Sequence, residues 1–309
     1  MVVTVTLNPA IDRTIFINGY KPGGVHRVKE SYEDVGGKGI NVSKVINLLG
    51  GDTLATGFIG GNRGEKIRCF LNKEKIKEDF IDSKVETRMN VKIVDMENNA
   101  TTEFNEKGMS ITNEQTESLK NKIESYAKKA EFIVFGGSAP ESFSLYQYEE
   151  LIKIASRYTK IVIDAEGELL KKGLKTAPFM IKPNIDELTN SFGLVINGPE
   201  DIINASKKLI KEYKVKIILV SMGKEGSILV TKDQVIKAEP VLVDVKSTVS
   251  AGDSMVAGFL YKYEQDKDLI QGLRYGAACG TAAVTTEGTK LFSKEIFKSI
   301  LGKLTIRTI

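Results

Sequence analysis

Three times between Thr116 and Gly226 the chain runs through one order of patterns. A helical stretch leads into a short β-branched run, which ends in a glycine-bearing loop. TESLKNKIESYAKKA precedes EFIVFGGSAP, YQYEELIKIASRY precedes KIVIDAEG, and EDIINASKKLIKEYK precedes VKIILVSMG. Strands that alternate with helices in this way predict a doubly wound, parallel α/β sheet. Upstream, VVTVTLN reads as a strand, GINVSKVINLLG as a helix stopped at Gly50, TLATGFIG as a strand and GEKIRCFLNKEKI as a helix. NVKIVDMENNATTEFNE alternates on both sides of Asn98-Asn99 and reads as a projecting hairpin. Two further helices are expected in AGDSMVAGFLYKY and LIQGLRYGAACGTAAVTT. With 309 residues, 41% of them hydrophobic, and no Pro- or Ser-rich linker, the expectation is one main α/β domain with a β-rich excursion near its start.

Several classes of function are excluded early. The net charge of +4 is small for this length, and acidic residues are interspersed throughout, so no phosphate-tracking stripe and no nucleic-acid partner are expected. No window approaches 18 uninterrupted apolar residues, and the opening stretch lacks a basic segment followed by a long apolar one. No membrane span or leader is therefore expected. The two cysteines, Cys69 and Cys279, lie far apart and form no disulfide framework, which fits a reducing cytoplasm. The single histidine, His26, cannot build a multi-histidine zinc site, and no G-x-S-x-G elbow exists for it to serve. The base of any enzyme built on this chain is expected to be a carboxylate or a lysine.

Ligands of such sheets bind beyond the carboxyl ends of the strands, and several unusual loops are expected there. STVSAGDS stands before an apolar helical run, so Ala251, Gly252 and Asp253 would offer bare N–H groups at the positive end of a helix. That is an anion site. Asp253 does not help it hold phosphate, but makes sense as the acceptor of a proton from an attacking hydroxyl. A plain dipole-complementing role in the first turn explains Asp253 equally well. GGKGIN lacks both the Walker spacing and the G-x-G-x-x-G spacing, and is either a tight turn or a ligand loop. SMGKEG is either a hairpin turn or a phosphate-facing loop. KPNIDE gathers Lys182, Asn184, Asp186 and Glu187, oxygen donors suited to orienting waters on Mg²⁺ or to capping a helix. Asp12 in NPAID is placed to accept from two ligand hydroxyls, or to serve a turn. TRMNVK puts Arg88, Asn90 and Lys92 on one strand face, a phosphate clamp or a solvated edge.

Taken together, GGKGINVSKVINLLGG and STVSAGDSMVAGF resemble the two signature regions of the ribokinase-like (PfkB) carbohydrate kinases, and the resemblance spans the whole chain. TLNPAIDRT, TRMNVK, TEFNEKG, VIDAEGELL and IKPNIDEL resemble its phosphosugar branch, nearest to the kinases of fructose 1-phosphate and then to those of tagatose 6-phosphate. The resemblance implies a ribokinase-like doubly wound, mostly parallel sheet with helices on both faces. It implies one domain over 1–309 with a small β-sheet lid from segments within about 12–35 and 88–106, and a homodimer built through that lid. It implies ATP and Mg²⁺ as cofactors and transfer to the 6-hydroxyl of fructose 1-phosphate. Tagatose 6-phosphate is the alternative acceptor, and a non-catalytic phosphosugar sensor is the alternative of another class. By the same resemblance Asp253 is the base, and Ala251 and Gly252 complete the anion hole. Asn184 and Glu187 handle Mg²⁺ through water. Lys182, Ser221, Gly223, Lys224, Gly226 and Thr248 fall at nucleotide positions. Asp12, Gly37 and Asn41 hold sugar hydroxyls. Arg27, Lys38 and Arg88, with Ser138 and Lys92 behind them, meet the phosphate already on the sugar. Ser250 stands where the family usually has glycine, at a cost of roughly 1 kcal/mol if φ there is positive.

Overall fold

Side chains alternate across a strand, so a strand buried on both faces serves two cores. The computed structural model, which describes residues 1–309, shows this throughout its centre. Its strands are β1 (Val2–Thr6), β2 (Ala10–Ile17), β3 (Glu30–Gly36), β4 (Thr53–Ile59), β5 (Lys77–Glu78), β6 (Ile81–Asp82), β7 (Arg88–Asp95), β8 (Ala100–Asn105), β9 (Phe132–Gly136), β10 (Lys160–Asp164), β11 (Met180–Ile181), β12 (Ile217–Ser221), β13 (Ser227–Val230), β14 (Val235–Ala238) and β15 (Ile306–Thr308). Its helices are α1 (Lys38–Leu49), α2 (Gly61–Lys73), α3 (Asn113–Ala127), α4 (Leu145–Ser156), α5 (Gly167–Leu174), α6 (Ile185–Phe192), α7 (Pro199–Tyr213), α8 (Ala251–Asp266), α9 (Leu269–Ala283) and α10 (Lys294–Lys303).

The main sheet has eleven strands in the order β15-β14-β13-β12-β11-β10-β9-β1-β4-β5, with β6 also on β4. Pairing is parallel from β4 to β12 and antiparallel from β12 to β15. Val3, Ile133, Phe135, Ile161, Ile163 and Ile218 face one core, under α3 to α7. Their neighbours Val2, Phe132, Val134, Val162 and Leu219 face the other, with α1, α8, α9 and α10. The doubly wound, mostly parallel sheet with helices on both faces is thus present. The antiparallel end was not legible as such, although SMGKEG left a hairpin open. No helix is long and apolar enough to cross a membrane.

Chain order reverses between β1 and β9, and α1 starts directly above that point. The packing is close. A Cβ on Gly39 would lie 2.5 Å from Thr6 Oγ1, and one on Gly136 would lie 2.8 Å from the Gly39 nitrogen. Before α1 the chain leaves the main sheet to form a second one. Its order is β3-β2-β7-β8, with β2 and β7 parallel and the other pairs antiparallel. At its far end the Asp95 carboxylate accepts N–H bonds from Gly19 (2.8 Å) and Tyr20 (2.7 Å) and one from the Asn98 amide (2.7 Å). One carboxylate thereby ties the β2–β3 loop to the β7–β8 turn.

Phe259 marks the packing of α8. It is fully buried, stacks on Tyr263 at 5.5 Å and 11°, and lies against Gly272 of α9. Phe259→Ala is expected to lose about 3–5 kcal/mol of unfolding free energy in urea, because the cavity between two helices cannot collapse easily.

Candidate active site

A cavity of about 1090 Å³ opens above the carboxyl ends of β1, β9, β10 and β12. It extends from Asp12 and Arg88 on the small sheet to Val241, Leu242 and Leu304 at the other end. Asp253 and the start of α8 form part of its wall.

The start of α8 has an unusual build. Ser250 is the N-cap, with φ 60° and ψ 3°, and its side chain makes no capping bond. Only Ala251 N, to Thr248 O at 3.4 Å, and Ser254 N, to Ser250 O at 2.9 Å, are engaged in this turn. The N–H groups of Gly252 and Asp253 have no partner, at the positive end of a 16-residue helix. Gly252 has no room for a side chain: its Cβ would lie 2.9 Å from Lys182 Nζ. The missing side chain lets an ammonium lie against the helix start.

Beneath it sits a cluster of opposite charges. Asp164, at the end of β10 and fully buried, receives Lys38 Nζ at 3.1 Å and Lys182 Nζ at 3.4 Å. Lys38 also reaches Glu187 at 3.3 Å. Burial disfavours the Asp164 charge, but Lys182 and Lys38 outweigh it and hold the carboxyl below its usual range. Burial disfavours the Lys38 ammonium too, yet Asp164, Glu187 and Asp253 raise its pKa. Asp253 has the opposite balance. Burial, then the Asp164 charge, push it up to about 6 against Lys38, Lys182 and a hydrogen bond from Asn41. That bond runs from Asn41 Nδ2 to Asp253 Oδ2 at 2.9 Å and leaves Oδ1 free.

Other expected residues fall around this centre. Asn184 and Glu187 cap α6: the Asn184 side chain accepts from Glu187 N at 2.7 Å, and Glu187 accepts from Asn184 N at 2.9 Å. The second Glu187 oxygen faces Lys38. SMGKEG is both things it was read as. Gly223–Glu225 is the turn of the β12–β13 hairpin, and Ser221, Gly223, Lys224 and Gly226 line the cavity. Thr248, Gly37 and Ser138 line it as well. Asp12 is bonded to Asn90 at 2.8 Å, and burial raises its pKa despite Asn90, Arg88 and Lys92. Arg88 holds Asn8 O and Glu106 O, each at 3.2 Å, with Lys92 farther along the same face, paired to Glu103.

Two residues stand differently from expectation. Lys38 lines the cavity, but its ammonium is committed to Asp164 and Glu187 rather than open to a sugar phosphate. Arg27 is not brought to the cavity. It is exposed on the loop after β2, which Asp95 anchors roughly 17 Å along the strand from Asp12.

This chemistry is that of phosphoryl transfer: bare N–H groups, an ammonium and a buried carboxylate share one wall. The profile of the pfkB family carbohydrate kinases matches residues 5–296. The chain belongs to the pfkB family of carbohydrate kinases. Its curated relatives include the 1-phosphofructokinase of Borreliella burgdorferi, 36% identical over 283 residues and 91% of each chain. That of Bacillus subtilis is 33% identical over 303 residues, 97% of this chain and 98% of the relative. Among solved structures, phosphofructokinase-2 from Escherichia coli in complex with substrates and products superposes with a TM-score of 0.92 at 28% identity, covering 98% of both chains.

In this pfkB kinase, sequence reasoning missed Asp164, Thr6 and Asn8 as site residues, and it placed Asn90 on the candidate clamp face without its bond to Asp12. Asp164 had a signal: a carboxylate at the carboxyl end of the buried strand KIVID. Thr6 Oγ1, at the end of β1, and Asn8 Oδ1, just after it, are buried in the cavity wall without a partner. Nothing in VVTVTLN marked them. Ser250, with φ 60°, is strained as serine. Ser250→Gly is expected to raise stability by up to about 1 kcal/mol, the relief of left-handed strain less the entropy of an added glycine. Urea unfolding checks this, and a loss of stability would assign the hydroxyl a bonding role.

Proposed function

We propose that the chain transfers the terminal phosphoryl group of ATP to the 6-hydroxyl of fructose 1-phosphate, forming fructose 1,6-bisphosphate and ADP. The observation that carries this reading is Asp253, a buried carboxylate beside two unpartnered N–H groups, in a wall between a cationic sheet face and the SMGKEG turn. The names of the curated relatives support fructose 1-phosphate as the acceptor.

Asp253 Oδ1, left open because Asn41 holds Oδ2, takes the proton of the 6-hydroxyl. The hydroxyl oxygen attacks the terminal phosphorus, and the bond to the bridging oxygen of ADP breaks. Charge on the transferred group falls to the Gly252 and Asp253 N–H groups and to Lys182. Arg88, with Asp12 and Asn90, orients the sugar and its phosphate. The residues present also fit Mg²⁺. Asp164 Oδ2 is buried without a partner, and Glu187 offers a second carboxylate nearby. No cluster of three or more His, Cys, Asp or Glu side chains gathers to cage a metal, which suits an ion that uses one or two carboxylates and otherwise water and phosphate. Asp164 and Glu187 would hold it through water, and it would neutralise phosphate charge. The four-stranded sheet acts as a lid that excludes water. Half-exposed Phe104 on β8 gives that sheet an apolar position for a second copy to cover in a homodimer. The two free cysteines, exposed Cys69 and buried Cys279, support a reducing compartment, the cytoplasm.

ADP release with Mg²⁺-ATP, compared among fructose 1-phosphate, tagatose 6-phosphate, fructose 6-phosphate and fructose, tests the acceptor. The highest kcat/KM is expected with fructose 1-phosphate. A preference for tagatose 6-phosphate would overturn the acceptor but keep the base, and no turnover would support the sensor. Asp253→Asn is expected to fold and lose on the order of 10²–10⁴ in kcat. The kcat/KM of the parent should fall below about pH 6 as Asp253 takes up a proton. The sign for stability is opposite. A raised carboxyl pKa favours the folded state at low pH, and this is lost as pH rises through 6. At pH 7.5 Asp253→Asn should therefore be as stable as the parent or more so, by no more than about 3 kcal/mol.

A further inference from the structure

Lys44 is only 3% exposed, and no carboxylate lies within ion-pair distance of its ammonium. Leaving an ammonium buried in this way is costly unless every N–H is used. Nζ donates to Thr289 O at 2.9 Å, Thr289 Oγ1 at 3.3 Å, Val35 O at 3.4 Å and Asn41 Oδ1 at 3.4 Å. It also lies 5.3 Å from the centre of the Phe70 ring. The last of its acceptors connects Lys44 to the chemistry. Asn41 is one turn earlier on α1, and its other end donates to Asp253.

An ammonium is a donor only, whereas an amide has one accepting and one donating end. With Lys44 on one side of Asn41, the amide oxygen must face Lys44 and the NH₂ must face Asp253. The flipped amide would set NH₂ against an ammonium and oxygen against a carboxylate. We propose that Lys44 is a positioning residue for phosphoryl transfer: it fixes the orientation of the Asn41 amide and so keeps the Asp253 carboxylate hydrogen-bonded and ionised. The proposal rests on Asp253 being the base. Burial lowers the pKa of Lys44 to about 8, which leaves it cationic at neutral pH. The charged groups around it are Asp12 of β2, Asp34 of β3, Glu74 after α2 and Asp253 of α8, and Glu33, Lys66 and Lys290 line a small cavity beside it. Around Asp253 stand Asp164, Lys38 and Lys182. Lys44 is therefore the donor that fixes one end of Asn41, while the pair on Asp164 acts by charge.

The test is the acid limb of kcat/KM in the parent, Lys44→Met, Lys44→Arg, Asn41→Leu and the Lys44→Met/Asn41→Leu double variant. Lys44→Met and Asn41→Leu should each move the limb to higher pH by about 0.5–1 unit. Lys44→Arg should retain the parent limb, and the double variant should match Asn41→Leu. An unmoved limb in Lys44→Met overturns the proposal. So does a second, equal shift when Lys44→Met is added to Asn41→Leu, which would mean that Lys44 acts by charge alone. Should Lys44→Met fail to fold by circular dichroism, an unmoved limb in Asn41→Leu is the overturning result. The same shift can be read without turnover as the ¹³C carboxyl titration of Asp253, assigned by its loss in Asp253→Asn. Failure of Asp253 as the base is thereby separate from failure of Lys44.

Discussion

The pairing of one buried carboxylate, Asp164, with two ammonium groups organises the site. Lys38 comes from the start of α1 and Lys182 from the loop after β11. A buried ion pair is weak support for stability, because desolvation consumes most of its attraction. Here its effect is on arrangement and charge. It draws three chain segments together at the carboxyl ends of neighbouring strands. Burial raises the pKa of Asp253, and the negative charge of Asp164 adds to it against the opposing pull of Lys38 and Lys182. A carboxylate that titrates near 6 accepts a proton more readily than an ordinary aspartate while remaining ionised at neutral pH.

The sheet brings these groups together through its reversal of order. Because β1 lies between β4 and β9, the chain after β1 must cross the top of the crevice before it returns as α1. The small sheet occupies that crossing. Its β2 and β7 bring Asp12, Arg88 and Asn90 over one end of the cavity, while Gly37 and Gly39 let α1 descend almost onto β1 and β9. The close approach sets Lys38 and Asn41 on two sides of the same centre, one against Asp164 and the other against Asp253.

The start of α8 combines strain with exposed N–H groups. Ser250 in the left-handed region turns the chain sharply enough that no side chain caps the helix. The groups a capping residue would satisfy remain bare, and they are the groups that bind an anion. A serine carries this turn where glycine would do so with less strain.

The sequence by itself determined the layered fold, through strands and helices in regular alternation, and the identity of the loops that bear on the site. Asp253, Gly252, Asn184 and Glu187 were legible because local spacing alone put them at helix starts. The hairpin centred on Asn98-Asn99 was legible for the same reason. What was not legible depends on contacts between residues far apart in the chain. Asp164 and Lys38 are separated by 126 positions, and Asn41 and Asp253 by 212. Nothing in GINVSKVINLLG marked Lys44, which Val35 and Thr289 close over. Arg27 looked like part of a phosphate site until the length of β2 carried it away. Periodicity and capping act over a few residues, so sequence records them directly. Burial, ion pairing and the pKa of a carboxylate depend on which distant segments share the same space, and only the tertiary structure decided that.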